Sequence, residues 1–266
     1  MNRYEFLTAL HEAYKPRSYL EIGVNEGRSL AQATTRTIGV DPDFQINVEL
    51  ACDLKLVKMT SDDFFARPDA TSWFPEDVVD FTFIDGRHIF EFALRDFINA
   101  EKLSAPASVI VLDDIFPRSA SEAARDRHTL YWAGDVYKIM VVLEEYRPDL
   151  TVVPTDTEPT GVAVVLGLDP SSTVLPDNYD TIVEQYGAGN SQPVPEKVLR
   201  RHDAANPRQV VKSPAWGQLA AARATGAPVA FVERLRRLRG TAQFELVPPS
   251  NEPWPPKDAV KARRAR

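Results

Sequence analysis

Between residues 17 and 168, short apolar runs alternate with stretches whose apolar positions recur at helical spacing, the pattern of a mostly parallel sheet flanked by helices. RSYLEIG (17–23), RTIGVD (36–41), LKLVKM (54–59), VVDFTFID (78–85) and ASVIVLDD (107–114) predict five strands. RSLAQAT (28–34) predicts a short first helix, and SDDFFA a second one with Ser61 or Asp62 as its N-cap. HIFEFALRDFINAEKL places Ile89, Phe90, Ala93, Leu94, Phe97 and Ile98 on one face, which should pack on the sheet. GDVYKIMVVLEEYRP (134–148) reads as a further amphipathic helix ended by Pro148. LTVVPT (150–155) and GVAVVLGL (161–168), separated by a DTEPT turn, read as an antiparallel hairpin that closes the sheet.

Beyond residue 170 the pattern fades into Pro-, Gly-, Ser- and Asn-rich sequence, with one helix predicted around DNYDTIVEQYG. Residues 228–239 predict a short basic amphipathic helix, and residues 247–266 read as irregular. The expected organisation is a domain over residues 1–170 and a C-terminal extension over residues 171–266, partly irregular or disordered.

Composition narrows the class. The 266 residues suffice for one large α/β domain with an appendage, and 44% apolar with 26% charged residues is the balance of a soluble globular chain. No apolar run approaches the roughly 20 residues that cross a bilayer, so no membrane span is expected. The stretch MNRYEFLTALHEAYKP has acids and a histidine where a secretory signal needs an apolar core, and Cys52 alone cannot close an internal disulfide; the expected location is cytoplasmic. The net charge of −7 hides an asymmetry: residues 200–266 hold 14 Lys and Arg against 5 Asp and Glu, and residues 1–199 hold 17 against 33. An acidic body argues against a nucleic-acid groove, which needs clustered cations. The basic tail reads as a solvated extension, as a segment docking on the acidic body of its own or a second subunit, or as a nucleic-acid or anionic-membrane contact. A homodimer is expected, because the head and tail segments add surface to bury.

The predicted strands end on candidate chemistry. The turn LEIGVNEGRSL sets Glu21, Gly23 and Gly27 in an E-x-G-x-x-x-G spacing around Asn25. Glycines between a strand and a helix let a ligand lie against the backbone. The G-x-G-x-x-G of a dinucleotide site is absent, and an acid at the first position suits a cationic ligand better than a phosphate. Asp41 ends the second strand, where a carboxylate can accept from both hydroxyls of a ribose. Asp85 ends the fourth strand, and Asp113 and Asp114 end the fifth, on the edge where ligands bind. Three carboxylates there repel unless protonated or bridged by a cation, and oxygen donors favour Mg²⁺, Mn²⁺ or Ca²⁺ over zinc. Equally, Asp85 or Asp114 could cap a helix, and His88 could serve turn geometry. In RDRHTLYWAGDVYKIM, Trp132, Asp135, Tyr137 and Lys138, with Arg127, His128 and Tyr131, suit a sugar or a flat acceptor, although a helix start capped by Asp135 explains part of this stretch. His11 and His202 lack companions and read as incidental.

YLEIGVNEG, GVDPD, SDDFF, FIDGRH and VIVLDDIFP, in this order across residues 17–168, resemble the class I S-adenosylmethionine-dependent methyltransferases. The closer resemblance is to the bacterial metal-dependent sugar O-methyltransferases of macrolide biosynthesis. It implies a Rossmann-like, seven-stranded, mostly parallel sheet with an antiparallel C-terminal hairpin, and S-adenosylmethionine and Mg²⁺ as cofactors. By that resemblance Glu21, Gly23 and Gly27, with Asn25 in the same turn, surround the methionine part of the cofactor. Asp41 holds the ribose, Ser61 and Asp62 lie near the adenine, and Asp85 borders the cofactor site. Asp85, Asp113 and Asp114 would bind Mg²⁺, and His88 would be the base acting on a hydroxyl of a sugar or glycosylated small molecule. Catechol-type relatives carry Asp-Asn where this chain has Asp113-Asp114, which favours the sugar type. Two alternatives stand beside it: a metal-independent methyltransferase whose acids only shape the pocket, and a non-catalytic S-adenosylmethionine-binding subunit.

Overall fold

In the computed structural model, which describes residues 1–187, 193–202 and 204–225, seven strands form one sheet in the order β3-β2-β1-β4-β5-β7-β6. They are β1 (Ser18–Ile22), β2 (Arg36–Val40), β3 (Leu54–Val57), β4 (Val79–Ile84), β5 (Ser104–Asp113), β6 (Thr151–Thr155) and β7 (Val162–Leu166). β1 to β5 are parallel. β7 enters antiparallel between β5 and β6, so the predicted hairpin is present, with its second strand against β5. From β1 the chain steps outward to β2 and β3, then returns to β4 on the other side of β1. A crevice therefore opens at the carboxyl ends of β1 and β4, the position where open α/β sheets hold ligands.

Helices cover both faces: α1 (Arg3–Tyr14), α2 (Ser61–Phe65), α3 (Phe90–Lys102), α4 (Lys138–Tyr146), α5 (Val174–Tyr186), α6 (Glu196–Leu199), α7 (Pro207–Val211) and α8 (Ala215–Thr225). Strand alternation sorts the core. Ile110 and Leu112 of β5 pack with Phe90, Leu94 and Phe97 of α3 and with Ile139 and Leu143 of α4. Val109 and Val111 face the other way, onto Phe6, Leu7 and Leu10 of α1 and Trp216 and Leu219 of α8. The predicted α3 face is buried from Phe90 onward, and Ile89 is the N-cap.

The differences from expectation have local causes. The helix expected over 28–34 is a single 3-10 turn, Leu30–Gln32, because the Ser29 hydroxyl donates to buried Glu21 (2.7 Å) instead of capping and the chain must enter β2 at Arg36. α2 is capped by Thr60, not Ser61 or Asp62: Thr60 Oγ1 accepts the Asp63 amide at 3.2 Å. α1, unforeseen, opens with a reciprocal capping box in which Asn2 Oδ1 accepts the Glu5 amide (2.9 Å) and Glu5 accepts the Asn2 amide (3.0 Å). Packing also continues past residue 170. Leu175, Ile182 and Val198 join the α3–α4 core, and Val210, Trp216 and Leu219 join the opposite one. The basic segment 228–239 and the irregular segment 247–266 lie outside the described residues. Among the described residues no helix is long and apolar enough to cross a membrane.

His11, incidental in the sequence, is a core residue. It is 2% exposed, edge-on to Tyr19 (4.7 Å between centroids) and beside Phe81 (5.1 Å), and neither ring nitrogen has a partner. Burial pushes its pKa down to about 4. The unfolded chain takes up the proton near the ordinary value of about 6.5, so stability present above that pH is lost as pH falls toward 4. The drop amounts to about 3 kcal/mol in all. His11→Phe should remove this acid-side loss and raise stability at pH 7 by ending the burial of an unsatisfied polar ring. Urea midpoints at pH 7 and pH 5 measure both effects.

Candidate functional site

A cavity of about 660 Å³ occupies the crevice, with Gly23, Asn25, Asp41, Asp85, His88 and Asp114 on its wall. Its floor is a close approach of two strand ends. Gly23 has φ +89°, and a Cβ there would sit 1.9 Å from the Asp85 carbonyl oxygen, so only glycine fits between β1 and β4. Asn25, with φ +48°, directs its amide to Asp41 Oδ2 (2.9 Å), while Asp41 Oδ1 accepts from the Asp43 amide (2.7 Å). The Asp41 carboxylate is thereby fixed at the rim with lone pairs left for a ligand's hydroxyls. Ser61 and Asp62 also line the cavity, Asp62 being held by Arg95 at 2.6 and 3.0 Å.

Glu21 and Gly27 do not line the cavity. Glu21 is fully buried behind the turn, accepting from Tyr19 Oη and Ser29 Oγ, each at 2.7 Å, and burial pushes its pKa up to about 8. Its role here is to brace the turn from behind. Gly27, with φ +82°, packs against Ile46 of the loop between β2 and β3.

At the far end of the cavity Asp85, His88 and Asp114 converge, with one ligand atom of each within 4.8 Å of the others. His88 Nε2 lies 3.1 Å from Asp85 Oδ1. Its Nδ1 lies 3.0 Å from Asp114 Oδ2 and 2.7 Å from the Trp132 carbonyl. Both nitrogens face acceptors, so the ring carries two protons and donates from each. Burial opposes that charge, but Asp114, the hydrogen bonds to Asp85 and the Trp132 carbonyl outweigh it and push the pKa up to about 10. The ring also stacks on Trp132, 5.2 Å between centroids at 24°. The loop carrying Trp132 is pinned there by Gly134, whose φ is +60° and whose Cβ would meet the His88 carbonyl at 1.6 Å.

Asp113 stands apart. Its Oδ2 takes the guanidinium of Arg3, which also reaches Asp85 Oδ2 at 3.3 Å, and its Oδ1 is buried without a partner. The charge of Asp113, against the cost of burial, holds Arg3 protonated. The three acids are thus divided between two internal cations. As folded the Asp85–Asp113 pair does not fit a bound Mg²⁺, because Arg3 occupies Asp113 and reaches Asp85 where the ion would have to sit.

Of the acceptor candidates, Trp132 lines the cavity, as do Arg127 and Tyr131. Asp135, Tyr137 and Lys138 do not. Asp135 accepts the Phe90 amide (2.7 Å), Arg125 (2.8 Å) and Lys138 Nζ (2.8 Å), so it caps α3 rather than its own helix. Lys138 also donates to the Tyr186 carbonyl (2.8 Å), and Tyr137 is 4% exposed in the α3–α4 core. Sequence reasoning missed Arg3. Nothing in a one-dimensional pattern joins residue 3 to residues 85 and 113, although the Asn2–Glu5 capping box announces the helix that carries it.

The seven-stranded order, with β7 antiparallel between β5 and β6, is that of the Rossmann-like methyltransferase fold. Residues 20–115 match a family model described as a methyltransferase domain. No curated protein sequence matches the chain. Among solved structures it is similar to a putative caffeoyl-CoA O-methyltransferase from Staphylococcus aureus, at 14% identity over 63% of this chain and 84% of that one, with a TM-score of 0.48. The O-methyltransferase TomG from Streptomyces achromogenes, in complex with SAM, is 19% identical over 63% of this chain and 80% of that one, with a TM-score of 0.44. MycE, from the mycinamycin biosynthetic pathway, in complex with Mg, SAH and mycinamycin VI, is 14% identical over 68% of this chain and 53% of that one, with a TM-score of 0.43.

Proposed function

We propose that the protein is an O-methyltransferase that uses S-adenosylmethionine to methylate a hydroxyl of a sugar or glycosylated small molecule. The observation that carries this reading is the continuity of one cavity from Asp41, which can hold a ribose, past Gly23 to His88 and its stacked Trp132. S-adenosylmethionine, when bound, supplies a methyl group already activated by a positive sulfur.

The residues of the chain supply position and a proton acceptor. Asp41 fixes the nucleoside end by accepting from vicinal hydroxyls, and Gly23 and Asn25 offer backbone against which a ligand can lie. A hydroxyl is a poor nucleophile at neutral pH, so its proton must leave as the new O–C bond forms and the S–C bond breaks. His88 takes it. As folded the ring is already charged, but a cationic ligand beside Asp85 and Asp114 competes for their field and lowers the imidazole pKa. The neutral ring can then accept the hydroxyl proton, and Asp85 and Asp114 stabilise the imidazolium formed. Trp132, Tyr131 at 41% exposure and Leu130 at 80% give the mouth the apolar faces on which a sugar ring stacks.

Thermal shift with S-adenosylhomocysteine tests the cofactor half: at about 100 Kd it should stabilise the fold by about 2.7 kcal/mol. A melting temperature unmoved by either S-adenosylhomocysteine or S-adenosylmethionine would sink the reading. Incubation with sugars, glycosides and phenols, followed by mass spectrometry for methyl ethers, tests the acceptor half. Methylation confined to phenols would overturn the sugar assignment.

A further inference from the structure

We propose that Arg3 is the resident cation of this site, filling the place between Asp85 and Asp113 that a divalent ion would need, so that methyl transfer runs without a metal. The inference rests on the methyltransferase reading above for its functional half, and on geometry alone for the cation half.

Four features place Arg3 there by construction. The Arg3 amide donates to the Glu158 carbonyl (3.0 Å) and the Glu158 amide donates to the Met1 carbonyl (3.1 Å), which fixes the first turn of α1 against the loop between β6 and β7. The Asn2–Glu5 capping box starts the helix at that point. Phe6, Leu7 and Leu10 seat α1 in the core, so the Arg3 backbone is anchored on both sides. From this anchor the guanidinium bridges Asp113 and Asp85, packing over the Tyr4 ring at 5.2 Å to the centroid. A planar guanidinium suits two carboxylates at once. Asp113 Oδ1 is buried without a hydrogen-bond partner, and Oδ2 takes the guanidinium. A divalent ion could sit between Asp85 and Asp113 only by expelling Arg3 from a 1% exposed partner.

The test uses the full-length chain and reads Mn²⁺ binding, by electron paramagnetic resonance of free Mn²⁺ and by thermal shift. Metal-stripped wild type should bind no Mn²⁺ at the site, and its turnover should survive chelation. Arg3→Met should gain one Mn²⁺ at least about tenfold tighter than any wild-type binding, and adding Asp113→Asn should abolish the gain. Arg3→Gln, which keeps hydrogen-bonding capacity without the charge, is the second variant should Arg3→Met fold poorly, and Arg3→Lys should continue to exclude the ion. A merely structural Arg3 would lower stability in these variants without creating a metal site. Mn²⁺ binding by wild type that Asp113→Asn removes would overturn the proposal, as would no gain in either neutral variant. S-adenosylhomocysteine calorimetry separates the two layers: absent binding there defeats the methyltransferase reading while leaving the Mn²⁺ result to decide the role of Arg3.

Discussion

His88→Ala should lower methyl-transfer turnover by about 10²–10⁴-fold, the range for removal of a general base, while S-adenosylhomocysteine affinity changes far less. The ring faces the cavity from Asp85 and Asp114, whereas Asp41, Gly23 and Asn25 form a separate stretch of the wall. Removal of the proton acceptor should therefore spare nucleoside binding. The pH profile gives a second measure. The free protein holds the His88 proton up to about pH 10, so turnover that needs the neutral ring rises with pH below that value. With S-adenosylmethionine saturating, the added positive charge lowers the pKa, and the inflection in kcat/KM for the acceptor should fall below 10. His88→Ala should lose this limb altogether. Turnover retained within a few-fold, or an unchanged pH limb, would remove His88 as the base.

How much of this site was legible in the sequence depended on how local each relation is. Asp85 and His88 lie three residues apart at a strand end, Asp113 and Asp114 end the next strand, and period-two apolar runs bring those ends side by side. The pattern therefore brings these strand ends to one edge of the sheet. It did not reveal their charge partners. Arg3 reaches Asp113 across 110 residues, and the resulting division of the acids between two cations is a property of packing. Glu21, expected beside the methionine part of a cofactor, turns inward to Tyr19 and Ser29 and braces the glycine turn from behind. Around Asp135 the sequence left an acceptor role and a helix cap both open; Asp135 does cap a helix, but it is α3 at Phe90, 45 residues away. Past residue 170, Pro- and Gly-rich connections suggested irregular chain, but short apolar stripes such as Leu175 with Ile182 and Trp216 with Leu219 suffice to dock helices on an existing core.

Arg147→Met should destabilise the fold by about 3–5 kcal/mol, the cost of leaving a buried charge without its partner. Arg147 is 1% exposed and donates to Glu101 Oε2 at 2.6 Å and to Asp149 at 2.9 and 3.0 Å. Glu101, 4% exposed near the end of α3, uses its other oxygen to accept the Asp169 amide at 3.1 Å. The pair thus ties α3 to the chain after α4 and to the exit of β7, while Asp135 ties the start of α3. Losses on the two sides are unequal. Arg147→Met strands the Glu101 carboxylate, whereas Glu101→Gln leaves Arg147 paired with half-exposed Asp149 and keeps an acceptor for the Asp169 amide. Glu101→Gln should therefore cost much less alone and recover most of the loss in the Arg147→Met background, a positive coupling in a double-mutant cycle. Burial already pushes the Glu101 pKa above its ordinary value with Arg147 in place. Without Arg147 the shift grows, and the penalty, full at neutral pH, fades as acid protonates Glu101. Urea midpoints of the four proteins at pH 7 and pH 5 measure both the coupling and its pH dependence. An Arg147→Met midpoint within about 1 kcal/mol of wild type at pH 7 would show that the pair does not hold α3 in place.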